Sequence, residues 1–312
     1  MRKFIAAAVA LIAIQWAAPS VAQQPAPTNE EIQKRLDALP PEKRQKLLEQ
    51  LKKAMANLEL YADLQSGKCT RAPEVRIKAL QGDPDSIYML SDMYRNGWCV
   101  PKDVAQFHTN LEKAANLGVA SAAFDLGYYL HNGDEGYPKD PKRAAGWFER
   151  AIKHGEPRAM VSLGSMLMEG DGLEKDIVRG LRLLNSAADQ STENLEASNR
   201  ALSLLAIYYL TGQFIPRNLD AGRKYALRGA AQCDAGAMIV LGSFHQMISP
   251  PDLIQSYAWE YVAAEHGNEQ QKAMAQSAMS DIGKQLPQNA ITRAKAAAKK
   301  LPICVPTNSG VK

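Results

Sequence analysis

Hydrophobic positions recur along this chain with a long period. Leu90, Leu126, Leu163, Leu205 and Leu241 are separated by 36, 37, 42 and 36 residues, and each opens the same order of small and large side chains. A small residue follows directly: Gly127, Gly164 and Gly242, with Ser91 and Ala206 in the other two units. Such a residue lets a neighbouring helix approach closely. Four positions after each leucine stands Tyr94, Leu130, Leu167, Tyr209 or His245, and the first four units then carry Gly97, Gly133, Gly170 and Gly212. These glycines read as helix C-caps. An acid or amide follows after a short loop, at Asp103, Asp140, Asp176, Asn218 and Asp252, each suited to cap a second helix. That helix presents Asn110, Trp147, Leu183, Tyr225 or Trp259, then a small pair such as Ala114-Ala115 or Ala263-Ala264. Gly118, Gly155, Cys233 and Gly267 close it. The pattern predicts an all-α chain of about five antiparallel helix pairs stacked into a solenoid.

The same positions, best seen in Leu126-Gly127, Gly133, Asp140, Ala144, Trp147, Ala151 and Gly155, resemble the Sel-one-like repeat (SLR), a tetratricopeptide-like unit of about 36 to 44 residues. The resemblance implies a right-handed superhelix whose concave face binds a protein or peptide. The unit boundaries place repeats over 73–267, with a fourth unit preceded by an insert around Asp189 to Arg200 and a fifth that lacks the loop glycine, having Ile248 and Pro250-Pro251 instead. Helical caps are expected over 23–72 and 268–302, because a solenoid must cover its terminal apolar faces. In the first cap, Thr28 and Glu31 have capping-box spacing ahead of Ile32, Leu36 and Leu39. A stripe of Leu47, Leu51, Ala54, Leu58 and Tyr61 then predicts a helix to Gln65, docked on the main body with Lys43, Arg44, Lys46, Lys52 and Lys53 on its solvated face. The second cap ends in an Ala-rich helix bearing Arg293, Lys295, Lys299 and Lys300, and residues 303–312 read as a flexible tail.

The start of the chain bears on compartment. Arg2 and Lys3 precede an apolar run from Phe4 to Ala18, then Ser20-Val21-Ala22, the form of a secretory signal peptide over residues 1–22 cleaved after Ala22. Its apolar run, about 15 residues, is shorter than the roughly 20 a spanning helix needs. The mature protein is therefore expected to be periplasmic or secreted, with no integral membrane segment. In such a compartment Cys69, Cys99, Cys233 and Cys304 are expected to form disulfides. Cys69 precedes one helix and Cys99 follows the next, so they share an edge of the stack. Cys233 and Cys304 fall on the opposite edge, roughly 20 Å away along a helix of about 13 residues. The expected pairs are Cys69–Cys99 and Cys233–Cys304. Free thiols or a metal site are the alternatives, and no Cys-x-x-Cys supports a zinc or redox motif.

Composition narrows the function classes. An apolar fraction of 46% with 22% charged residues describes a folded chain. The net charge of +4 falls to +2 without Arg2 and Lys3, which argues against a nucleic-acid binder. The chain has no His-Glu-x-x-His, Gly-x-Ser-x-Gly, phosphate-binding loop or dinucleotide fingerprint, and its one Ser-x-x-Lys is Ser309–Lys312. No cofactor, metal or catalytic residue is expected. The expected function is a non-catalytic exported scaffold or regulator for a protein partner in the cell envelope. The alternative is an envelope hydrolase or β-lactam-interacting protein whose site is assembled from scattered residues.

Partner contacts are sought beside the key leucines. Met93, Tyr129, Met166, Tyr208 and Phe244, three positions on, read as core. One position earlier stand Asp92, Tyr128, Ser165, Ile207 and Ser243, whose varied polarity suits an exposed concave face; Tyr128, with Asp125 one turn before it, is the leading candidate.

Overall fold

A computed structural model describes residue 37 and residues 39–190 and 194–303. Residues 1–22, read as a signal peptide in the sequence, the expected Thr28–Glu31 capping box, Cys304 and the residues after it lie outside the described residues. The chain forms α1 (Pro41–Gln65), a 3-10 turn (Cys69–Arg71), α2 (Ala72–Leu80), α3 (Pro84–Asn96), α4 (Val104–Asn116), α5 (Ala120–Asn132), α6 (Pro141–Lys153) and α7 (Pro157–Glu169). It continues with α8 (Ile177–Ala188), α9 (Leu195–Thr211), α10 (Leu219–Ala231), α11 (Ala235–Met247), α12 (Leu253–His266), α13 (Glu269–Gly283) and α14 (Gln288–Ala298). Among the described residues there is no strand. The fold is an all-α solenoid of helical repeats. Two compact units are present: one runs to Leu163 and includes Asp171–Leu173, and the other holds Gly164–Gly170 and everything from Glu174 on.

Local chemistry sets the helix ends. Asp103, Asp140, Asp176, Asn218 and Asp252 each accept a backbone N–H from three residues on, at 2.9–3.0 Å, and so start α4, α6, α8, α10 and α12. Gly97, Gly133, Gly170 and Gly212 end the preceding helices at φ between +75° and +80°, a region costly for any residue with a Cβ. The fifth pair ends its first helix differently, with Ile248 at φ −72°.

In the first unit the small slot works as a hole. Gly127 on α5 faces Phe148 on α6, and a Cβ at Gly127 would stand 2.8 Å from that ring. Leu126, Leu130, Phe107, Leu111 and Phe148 are all buried in this unit. In the second unit Gly164 faces Leu184 in the same manner. The stripe Met93, Tyr129, Met166, Tyr208 and Phe244 is buried, as its spacing implies.

One expectation changes at the ends. Helix α1 docks through Leu60 and Leu64, which join Val75, Met89, Met93 and Val100, whereas Leu58 is 70% exposed. Of the stripe read in the sequence, Leu47 is buried and Tyr61 packs on the same cluster, while the side chains of Leu51 and Ala54 lie outside the described residues. Cys69 and Cys99 are joined in a disulfide with Cα atoms 5.3 Å apart, and Trp98 beside it meets Tyr61 of α1 edge-on. Cys233 is also disulfide-bonded, in the backbone slot that Gly118 and Gly155 fill elsewhere. At the other end Ala290, Ala294 and Ala298 seal α14 against the body, leaving Arg293, Lys295, Lys299 and Lys300 exposed. Among the described residues no helix is long and apolar enough to cross a membrane.

Candidate protein-binding surface

The candidate surface lies in the first unit, on the face shared by the first helices of successive pairs. Tyr88 on α3 donates its hydroxyl hydrogen to Asp125 on α5 at 2.7 Å. Arg95, two turns further along α3, donates to the Tyr129 hydroxyl and pairs with Asp92 at 3.3 Å. These cross-links clamp α3 to α5 and leave Tyr128 42% exposed between them.

At the start of α7, Glu156 takes two hydrogen bonds from the Arg158 guanidinium at 2.8 and 2.9 Å, and a third from Ser121 of α5 at 3.3 Å. The guanidinium so held lies 4.2 Å over the Phe124 ring, which in turn neighbours Tyr128 at 6.3 Å. The result is an aromatic and cationic patch of Phe124, Tyr128 and Arg158 whose side chains are fixed before any partner arrives.

Electrostatics within the patch follow from burial. Asp92 is pushed up to about 6 by desolvation, which Arg95 opposes and the neighbouring Asp125 reinforces. Asp125 is raised by the same desolvation, against the hydrogen bond from Tyr88 and the charges of Arg158 and Arg95. Glu156 goes the other way: burial disfavours its charge, but Arg158 outweighs it and holds the carboxyl below its ordinary value.

Of the residues singled out by position, Asp92, Asp125 and Tyr128 come together here. Asp92 is not the exposed contact expected of its place in the repeat: only 4% exposed, it lies beneath the Arg95–Tyr129 bond as a buried ion-pair partner. Ser165, Ile207 and Ser243 belong to the second unit. Ile207 is 38% exposed, Ser243 is half-buried, and Ser165 is half-buried 3.4 Å from the Tyr208 hydroxyl, which donates to Glu169. Sequence reasoning passed over Tyr88, Phe124, Glu156 and Arg158. The available signal was the separation of Tyr88 from Asp125, 37 residues, one repeat length.

Among the described residues no group of three or more His, Cys, Asp or Glu side chains is placed to hold a metal ion. His108 meets the Glu135 carbonyl at 2.7 Å, and His131 meets Asp171 at 2.8 Å.

Stacked helix pairs with capped ends and a small-residue hole define a helical-repeat protein of the tetratricopeptide-like class. The Sel1 repeat profile matches residues 84–119, 120–156, 157–191 and 199–233, so the chain carries four Sel1 repeats. The fifth pair, α11 with α12, lies beyond those matches. A Sel1 repeat protein from Oxalobacter formigenes has a similar structure, with a TM-score of 0.61 at 23% identity over 79% of this chain and 99% of that one. Its likeness bears on the fold alone. The chain is also similar to the chitin synthase regulator SKT5 of Malassezia restricta, at 32% identity over 29% of this chain and 6% of that protein. Likewise the ERAD-associated E3 ubiquitin-protein ligase component HRD3A of Arabidopsis thaliana is 37% identical over 20% of this chain and 9% of its own length. The chain therefore spans under a tenth of either relative. Sel1 repeats typically mediate protein–protein interaction, and the family is generally non-catalytic.

Proposed function

We propose that this chain is a non-catalytic exported scaffold or regulator that holds a protein or peptide on the first-helix face of its N-terminal unit, around Tyr128. The observation that carries this reading is the exposed Tyr128 ring set beside Phe124 and an Arg158 already locked by Glu156. Tyrosine and arginine dominate binding hot spots, and side chains fixed in advance lose less entropy on association. Export rests on the sequence of residues 1–22, and a periplasmic or secreted site is part of the proposal. The regulator and ligase-component names of the partial relatives are consistent with a scaffold role.

The test compares photo-crosslinkers at Tyr128 and at Val178, an exposed residue of the second unit, in cells of the source organism. A defined adduct is expected at Tyr128 and not at Val178. Once that partner is in hand, Tyr128→Ala should weaken its binding by about 2 kcal/mol, roughly thirtyfold. Equal adducts at both sites, or unchanged affinity, would reject the surface. A reporter fused behind Ala22 and active only outside the cytoplasm checks export separately.

A further inference from the structure

The eighth position after the second-helix cap holds the side chain that faces the small-residue hole in the second, third and fifth pairs. It is Leu111, Phe148, Leu184 and Ala226 in the first four pairs, all at most 1% exposed. In the fifth pair it is Glu260, also 1% exposed. Its carboxyl abuts Gly242 of α11, the counterpart of the Gly127 that faces Phe148. Oε2 of Glu260 is buried without a hydrogen-bond partner. One turn earlier on α12, buried Ser256 donates to the Gly242 carbonyl at 2.8 Å, so its hydroxyl hydrogen is already committed. The fifth pair thus places a carboxyl where the geometry asks for an apolar knob, and among the described residues nothing compensates its charge.

We propose that Glu260 is a pH-sensitive latch: protonated, it fills the hole and closes α11 on α12, and ionised it favours the opening of that pair. The charged groups on the elements around it are His245 on α11, Asp220, Arg223, Lys224 and Arg228 on α10, Glu269, Lys272 and Asp281 on α13, Arg293 and Lys295 on α14, and Glu265 and His266 on α12 itself. None of them acts on the carboxyl, which burial alone pushes up to about 8. His245 is lowered from 6.5, chiefly by burial, with Asp252 opposing and Arg223 adding to the shift.

The sign follows from linkage. A carboxyl that holds its proton more tightly closed than open contributes stability that is full below 4.5 and is lost as pH rises toward 8. His245 works oppositely, adding stability as pH rises to 6.5, so the range above 6.5 belongs to Glu260. Within it, opening should increase about tenfold per pH unit.

Native-state hydrogen exchange resolved by peptide, on the full chain, tests this. Between pH 6.5 and 8 the opening constant of α11 and α12 should rise about fifteenfold after correction for intrinsic exchange, then level off above 8. Glu260→Gln should flatten that rise, and peptides from α5 and α6 serve as the internal reference. In parallel, carbon-13 NMR of labelled glutamate carboxyls should show one resonance titrating near 8 that Glu260→Gln removes. A Glu260 midpoint near 4.5, or an equal rise in Glu260→Gln, overturns the latch. Should the variant fail to fold, a wild-type carboxyl resonance titrating near 8 sustains the proposal, and its absence ends it.

Discussion

The second and fifth helix pairs share one geometry and differ in chemistry. In α5 and α6 the Gly127 hole receives Phe148; in α11 and α12 the Gly242 hole receives Glu260. The first contact is dry and apolar, and its ring gains from dispersion and from release of water. The second carries a carboxyl with an unpartnered oxygen beside the buried hydroxyl of Ser256. Backbone shape therefore does not report how much a pair contributes to stability. The identity of one knob decides whether its pair withstands a change of pH.

Exchanging the knobs should produce the largest effects. Phe148→Glu removes a fully buried ring and inserts an unpaired acid, so its cost should be at least the about 3–5 kcal/mol of truncating such a phenylalanine. Denaturant melts at neutral pH would show this as loss of the first unit's transition. The reverse exchange, Glu260→Leu, should stabilise the second unit by about 1–3 kcal/mol at pH 8, because it removes the cost of burying the carboxyl. A loss there would mean that the carboxyl has a partner the comparison lacks.

A second separation is in pH. Asp92 in the first unit is raised from 3.8 to about 6, and Glu260 in the second from 4.5 to about 8. Each contributes stability that is full below its unfolded value and lost as pH rises. The Asp92 contribution should be gone by about 6, and that of Glu260 only by about 8. Melts of Asp92→Asn and Glu260→Gln should therefore diverge from wild type in different windows.

The smallest effects concern the turns. Asp140→Ala and Asp252→Ala should cost about 1 kcal/mol each, since both side chains cap a helix. Gly133→Ala should cost about 1–2 kcal/mol because its φ is +80°. Ile248→Gly should bring no gain, since φ there is −72° and glycine only adds unfolded-state freedom. A stabilised Ile248→Gly would show that the fifth turn resembles the others after all.

Much of the fold was legible because it depends on local chemistry. Five caps and four left-handed glycines act within one turn of chain, so a residue type at a fixed spacing suffices to identify them. The candidate site was legible only at Tyr128 and Asp125. Asp92 holds the same repeat position as Tyr128, yet it is buried, because Arg95 reaches Tyr129 one pair later and closes over it. The Glu156–Arg158 clamp escaped notice because its two members follow the closing Gly155, past the positions that define the repeat pattern.

By itself the sequence determined the helix pairs, their ends and the small-residue holes, since a period of about 36 residues with caps and glycines leaves the backbone few alternatives. Tertiary structure decided which polar side chains meet across pairs: Tyr88 with Asp125, Arg95 with Tyr129, and Glu260 with no partner for its second oxygen. The physical reason is that the energy of a polar group depends on what touches it and on how much water is left around it. Both are settled by residues a full repeat away.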